Sequence, residues 1–233
     1  MTGETQKTDK RELILDAAEA LFSKHGYDGV TLRAIAKQAG VDVALANYHF
    51  GPKRDLFDAV LMRRAKILNS WRLDALESVI SDAAPDAPTV RDIIRAYFEP
   101  ILTRPHVEQP GWKNYYALIA YVNNSPEWGG KLMTQFFDPL IERFIEALKM
   151  ALPDVPDKSL YWGYHCLSGA LTLAFAQTGR IDHLSKGLCQ SDNLPDACGY
   201  IVDFVTAGFE QFDDNSRNND DKKTATLSSA AAE

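Results

Sequence analysis

Apolar residues recur along the chain at three- and four-residue intervals, the period of helices packed on one face, and no alternating run marks a strand. Leu13, Ala17 and Leu21, with Ile14, Ala18 and Phe22, trace the inner face of a first helix over 10–25. Gly26 stops it, and Tyr27-Asp28-Gly29 has turn chemistry. Thr31 is placed to cap a second helix through Ala39; Ala34, three residues on, leaves the capping box incomplete. Gly40 breaks that helix, and Asp42 caps a third that runs to Phe50. After Gly51-Pro52 a long segment rich in helix formers extends from Lys53 to about Ile80.

Ser81 to Pro88 (SDAAPDAP) has the composition of a connector and is the expected domain boundary. Beyond it the pattern predicts helices over 89–103, 111–123, 128–151, 157–178 and 195–212, with Pro105, Pro110, Pro126, Pro153 and Pro156 in the gaps. Residues 213–233 are polar and poor in large apolar groups, so a disordered tail is expected. The predicted architecture is all-α. An N-terminal arm and three-helix helix-turn-helix domain occupy 1–52, a connecting helix 53–80, and a C-terminal helical domain 81–212.

The informative unit is TLRAIAKQAGVDVALANYHF, residues 31–50. Two short helices that cross closely need small residues at the contact. Ala36 supplies one, and Gly40 is suited to a left-handed turn. Ile35, Ala39, Val41 and Ala46 make the apolar seam, which leaves Val43, Ala44, Leu45, Asn47 and Tyr48 to project from the second helix of the pair. That helix enters the major groove in DNA-binding versions of the motif. Arg33 and Lys37 lie one turn apart on the preceding helix, and Lys53 and Arg54 open the next, where backbone N–H groups also favour phosphate.

Charge changes how this unit is weighed. The whole chain carries a formal −7, which by itself argues against a nucleic-acid partner. The charge is unevenly spread, with twelve Lys/Arg against ten Asp/Glu in residues 1–76, and thirteen against twenty-two beyond. The head is therefore slightly basic and the acidity lies elsewhere.

These residues resemble the TetR family of bacterial transcriptional repressors. The matching strings are ILDAAEALFSKHGYDGVTL and IAKQAGVDVALANYHFGPKRDLFDAVL, which cover that family's DNA-binding domain from about Arg11 to Leu61. The aromatic close of its recognition helix is matched by Tyr48, His49 and Phe50, its following lysine by Lys53 and the next apolar residue by Leu56. Asn47 stands where the family more often has tyrosine, and Asn-Tyr-His-Phe-Gly resembles a PsrA-like, fatty-acid-responsive subgroup. The resemblance implies phosphate contacts from Thr31, Tyr48, His49 and Lys53, and base-facing roles for Arg33, Val43, Ala44, Leu45 and Asn47. Asparagine suits adenine, arginine suits guanine, and small apolar groups suit thymine methyls. A histidine packed on the helix pair is an equal alternative for His49.

The C-terminal half is aromatic on its inner faces. Trp112, Tyr115, Tyr116, Phe136, Phe137, Phe144, Trp162 and His165 are candidates to line a small-molecule pocket, although core packing explains any one of them alone. By resemblance this domain holds an inducer. The stretch from Phe136 to Leu171 resembles the ligand domain of the same subgroup and implies a small apolar ligand such as a fatty acid or acyl-CoA. Leu160, Trp162, Gly169, Ala170 and Leu173, with Ile201, Phe204, Val205, Gly208, Phe209 and Phe212, suit a two-fold four-helix interface, so a homodimer on a palindromic double-stranded operator is expected.

Other chemistry is not supported. No hydrolase, phosphate-loop or dinucleotide motif is present, so no enzymatic role and no cofactor are expected. His165-Cys166, His183, Cys189 and Cys198 match no metal spacing. There is no signal-peptide pattern, membrane-length apolar run or disulfide framework, and the expectation is a cytoplasmic protein with no membrane partner. A second class stays open: a helical small-molecule-binding protein or enzyme whose head does not bind DNA.

Overall fold

The computed structural model describes the backbone of residues 9–104, 110–126 and 129–230, with side chains outside the description at 110, 129, 131–133, 135 and 214–230. Every regular element among the described residues is an α-helix. In order they are α1 (Lys10–His25), α2 (Leu32–Ala39), α3 (Val43–Phe50), α4 (Lys53–Ala83), α5 (Val90–Leu102), α6 (Pro110–Asn123), α7 (Gly129–Ala151), α8 (Asp157–Ala176), α9 (Arg180–Leu184) and α10 (Leu194–Ala230). The first three follow the predicted spans and stops. Asp9 caps α1 by accepting from Arg11 N at 2.9 Å, and the residue that ends it, Gly26, has φ 67°.

Two compact units form. One comprises Met1–Ile67 and Pro105–Phe136, the other Leu68–Arg104 and Phe137–Glu233. In the first, Ile14, Ala18, Phe22, Ile35, Ala46, Phe57 and Val60 are fully buried. The Phe22 and Phe57 rings meet edge to face at 4.9 Å. α6 packs along α1. A methyl group on Gly26 would lie 3.3 Å from the Tyr121 ring, so glycine serves both the positive φ and the close approach.

In the second unit α10 packs on α5 and α8. A methyl group on Gly163 would come within 2.5 Å of the Phe209 ring, so this glycine sets how closely α8 approaches α10. Arg143 forks onto Glu77, joining α7 to α4, and holds that carboxyl below its usual range through the hydrogen bond.

Three expectations need correction. The units do not part at 81–88, because α4 is divided between them at Ile67/Leu68 and residues 105–136 group with the head. Composition marks where a chain bends, whereas a packing unit is decided by which faces bury each other. α10 continues through most of the segment expected to be a disordered tail, since extending an existing helix needs no new nucleus; residues 231–233, like the arm at 1–8, lie outside the described residues. The five-residue α9 was not predicted, being too short to show a helical period.

Candidate nucleic-acid interface

The head is organised by its caps. Thr31 Oγ1 accepts from Ala34 N at 3.2 Å and starts α2. Gly40 sits in the left-handed region at φ 67°, ψ 32°, where its N–H bonds back to the last turn of α2. Asp42 then accepts from Ala44 N at 2.7 Å and starts α3. Buried Ile35, Ala36 and Ala46 form the contact between the two helices, with Phe50 closing its end and Ala39 and Val41 half-buried at its edge. Small residues at 36 and 46 leave room for the crossing; a larger side chain at either would push α3 off its seat.

With Ala46 and Phe50 inward, the remaining face of α3 is fixed. Val43, Asn47, Ala44 and Tyr48 follow one another around an arc of about 140° at 100° per residue, and all four are exposed. Tyr48 is 83% exposed, an unusual position for an aromatic ring without a partner surface. His49 is exposed beside it, with ring centroids 5.5 Å apart, and its ring lies 6.2 Å from that of Phe50. Arg33 and Lys37 are exposed on α2, and Thr31 is exposed at its start.

Two predicted contacts are placed differently. Leu45 is half-buried, although on the helical wheel it falls between exposed Tyr48 and His49. Lys53 is committed internally: its Nζ donates to the carbonyl oxygens of Tyr27 at 2.9 Å and Val30 at 3.0 Å, and lies 4.0 Å from the centre of the Tyr27 ring. The resemblance placed this ammonium on phosphate. Here it ties the start of α4 to the turn between α1 and α2, satisfying carbonyls that no helix serves.

An ion cluster that the sequence pattern concealed braces the same unit. Glu19 is only 1% exposed and accepts from Arg63 Nη2 at 2.9 Å, Arg64 Nε at 2.7 Å and Arg64 Nη2 at 3.0 Å. Arg63 also reaches Glu12 and Asp16, and the Arg64 guanidinium lies 4.7 Å from the Trp112 ring centre. The available signal was a carboxylate at 19, four residues after Leu15 and three before Phe22, on the buried face of α1.

The proposed pocket residues do not form one group. Trp112, Tyr115, Tyr116 and Phe136 are buried in the first unit, where the three α6 rings cluster with centroids about 6 Å apart. Phe137 and Phe144 are buried in the second. Trp162, 58% exposed, and His165 face outward from α8, the rings edge to face at 5.6 Å. Neither lines an interior, because Leu160, Gly163, Leu167, Leu171 and Phe175 make the buried face of that helix.

Two family models match the chain: bacterial regulatory proteins of the tetR family over residues 14–60, and the tetracyclin repressor-like C-terminal domain over 95–208. The HTH-type transcriptional regulator BetI of Agrobacterium fabrum is 36% identical over 76 residues, 33% of this chain. The chain spans 35% of that regulator's length. The biofilm operon icaADBC HTH-type negative transcriptional regulator IcaR of Staphylococcus aureus is 42% identical over 140 residues, 55% of this chain and 69% of that protein. Among solved structures, the TetR family transcriptional regulator PfmR from Thermus thermophilus shares the fold with a TM-score of 0.56, 19% identity, and coverage of 84% of this chain and 97% of that one. No helix among the described residues is long and apolar enough to cross a membrane. A cap-defined helix pair with an exposed arc on its second helix thus coincides with sequence matches at both ends of the chain, which belongs to the TetR family of bacterial regulatory proteins.

Proposed function

We propose that the protein is a homodimeric transcriptional repressor that binds a palindromic DNA operator and releases it when a small ligand enters the second unit. The observation that carries the reading is the exposed arc of α3, held out by buried Ala46 and Phe50 and accompanied by Arg33 and Lys37 on α2. In this reading Asn47 and Arg33 make base contacts, Val43 and Ala44 meet thymine methyls, and Thr31, Lys37, Tyr48 and His49 meet phosphate or sugar.

Dimerisation is supported by apolar faces in the second unit. α8 exposes Tyr161, Trp162 and Leu173, and α10 exposes Tyr200 at 73% and Phe204 at 80%. Gly169, Ala207 and Gly208 are exposed on the same stripes and permit close helix approach. Leu160, Val205 and Phe209 are already buried within the monomer, so the interface would rest on the outer residues. Two heads related by a two-fold axis read half-sites about one helical turn apart.

Ligand control is supported by the buried aromatic groups of the second unit and by the membership of α4 in both units. The resemblance implies an elongated apolar ligand such as a fatty acid or acyl-CoA. Linkage requires ligand and operator to lower each other's affinity by the same factor. Selection of genomic fragments with the full chain, followed by fluorescence-anisotropy titration, tests the reading. Enrichment of a palindrome bound by a dimer supports it; a folded dimer that enriches none overturns it.

A further inference from the structure

Arg72 is a buried cation that no carboxylate among the described residues pairs with. It lies on the α4 segment of the second unit and is 3% exposed. Its Nη2 donates to Asn69 Oδ1 at 2.8 Å, a neutral acceptor, and its Nε is buried with no acceptor. Among the described residues no carboxylate pairs with it. The other close groups are aromatic faces, with the guanidinium carbon 4.7 Å from the Tyr97 ring centre and 5.7 Å from that of Phe137. Tyr97 in turn packs against Phe144 at 4.6 Å. The contrast within this chain is sharp: Arg63, Arg64, Arg91, Arg95 and Arg143, all less buried, each hold a carboxylate.

Ring contacts offset only part of the cost of removing a guanidinium from water, and a buried charge is ordinarily paired. We infer that Arg72 is the anchor for a small organic anion, whose oxyanion accepts from Nε and whose apolar body lies among the aromatic side chains of the second unit. With rings against the guanidinium, an oxyanion approaches its edge, the arrangement in which arginine binds carboxylate or phosphate through N–H groups. Tyr164 supplies a neutral neighbour. Burial first, and Tyr97 next, push its phenol up, while Arg72 acts the other way, so it keeps its proton beside the incoming charge.

This inference rests on the proposed ligand control and names the side chain that would hold the ligand's anionic end. The test uses the full chain without DNA. Thermal stability is followed while titrating benzoate, 4-phenylbutyrate and decanoate, each against the alcohol and the phosphate monoester of the same skeleton. At least one carboxylate or phosphate is expected to stabilise at a concentration about tenfold or more below its alcohol. The better head group identifies the anion class. Arg72→Met is expected to abolish the preference while the alcohol response persists, and Arg72→Lys to retain part of it. If Arg72→Met does not fold, the Lys variant alone decides, since it keeps a charge and loses the flat group. Equal responses to anion and alcohol, or a preference unchanged in the variants, would overturn the inference. Operator affinity is measured separately. Anion binding at Arg72 without effect on DNA defeats ligand control but not the site, and release by a ligand indifferent to Arg72 does the reverse.

Discussion

At the scale of single residues, two ionic features of the head have opposite appearances in sequence. Lys53 looks like a DNA contact because it opens a helix, yet its ammonium is held by two carbonyls and a ring. Lys53→Met is therefore expected to lower stability by about 2 kcal/mol, from charge-assisted hydrogen bonds lost, seen as a lower denaturant midpoint. Lys37→Ala, at an exposed site, should leave stability unchanged and reduce the salt dependence of operator binding by about one charge. Glu19 looks like an ordinary charge on an amphipathic helix and is in fact the centre of a three-arginine-nitrogen cluster. Glu19→Gln leaves Arg63 and Arg64 short of charge in a buried place and should cost about 3 kcal/mol. Retention of wild-type stability in Glu19→Gln would refute that role.

Elements were the most legible level where caps and glycines are explicit. Thr31, Gly40 and Asp42 announce α2 and α3 because each satisfies a backbone group that only that residue class satisfies well. Once those helices are placed, the exposure of Val43, Ala44, Asn47 and Tyr48 follows from the period. Leu45 and His49 escaped it: Leu45 is half-buried while His49, farther round toward Ala46, is exposed, an order the helical period alone does not produce. Gly40→Ala should cost about 1 kcal/mol, purely for the left-handed backbone, since a methyl there meets nothing within 4 Å. The equivalent change at Gly163 should be larger and steric, forcing α8 from α10. What the periodicity could not reveal is which partner a helix chooses. The inner faces of α6 and α7 are equally aromatic, but α6 buries its rings in the head unit and most of α7 packs in the other. Trp162 and His165 show the same limit, because an outward-facing aromatic stripe has the same sequence pattern as one in the core.

At the scale of the whole molecule, the acidic total and the slightly basic head fit the proposed division between a DNA-reading unit and a ligand-responsive one. Phe204→Asp, at a position of α10 where the ring is 80% exposed, should convert a dimer to monomers in light scattering while leaving helix content intact. Because two heads are needed for two half-sites, operator affinity should fall with it, more than for any single phosphate contact. The grouping of residues 105–136 with the head bears on engineering as well. A reading head is commonly imagined as a cassette that ends where its last helix ends. Here Gly26 faces Tyr121 and Arg64 faces Trp112, so a cut after α4 would strip the first unit of its own wall. A chimera that grafts this specificity onto another sensor must carry two separate stretches of chain, and evolution exchanging sensors by recombination meets the same requirement.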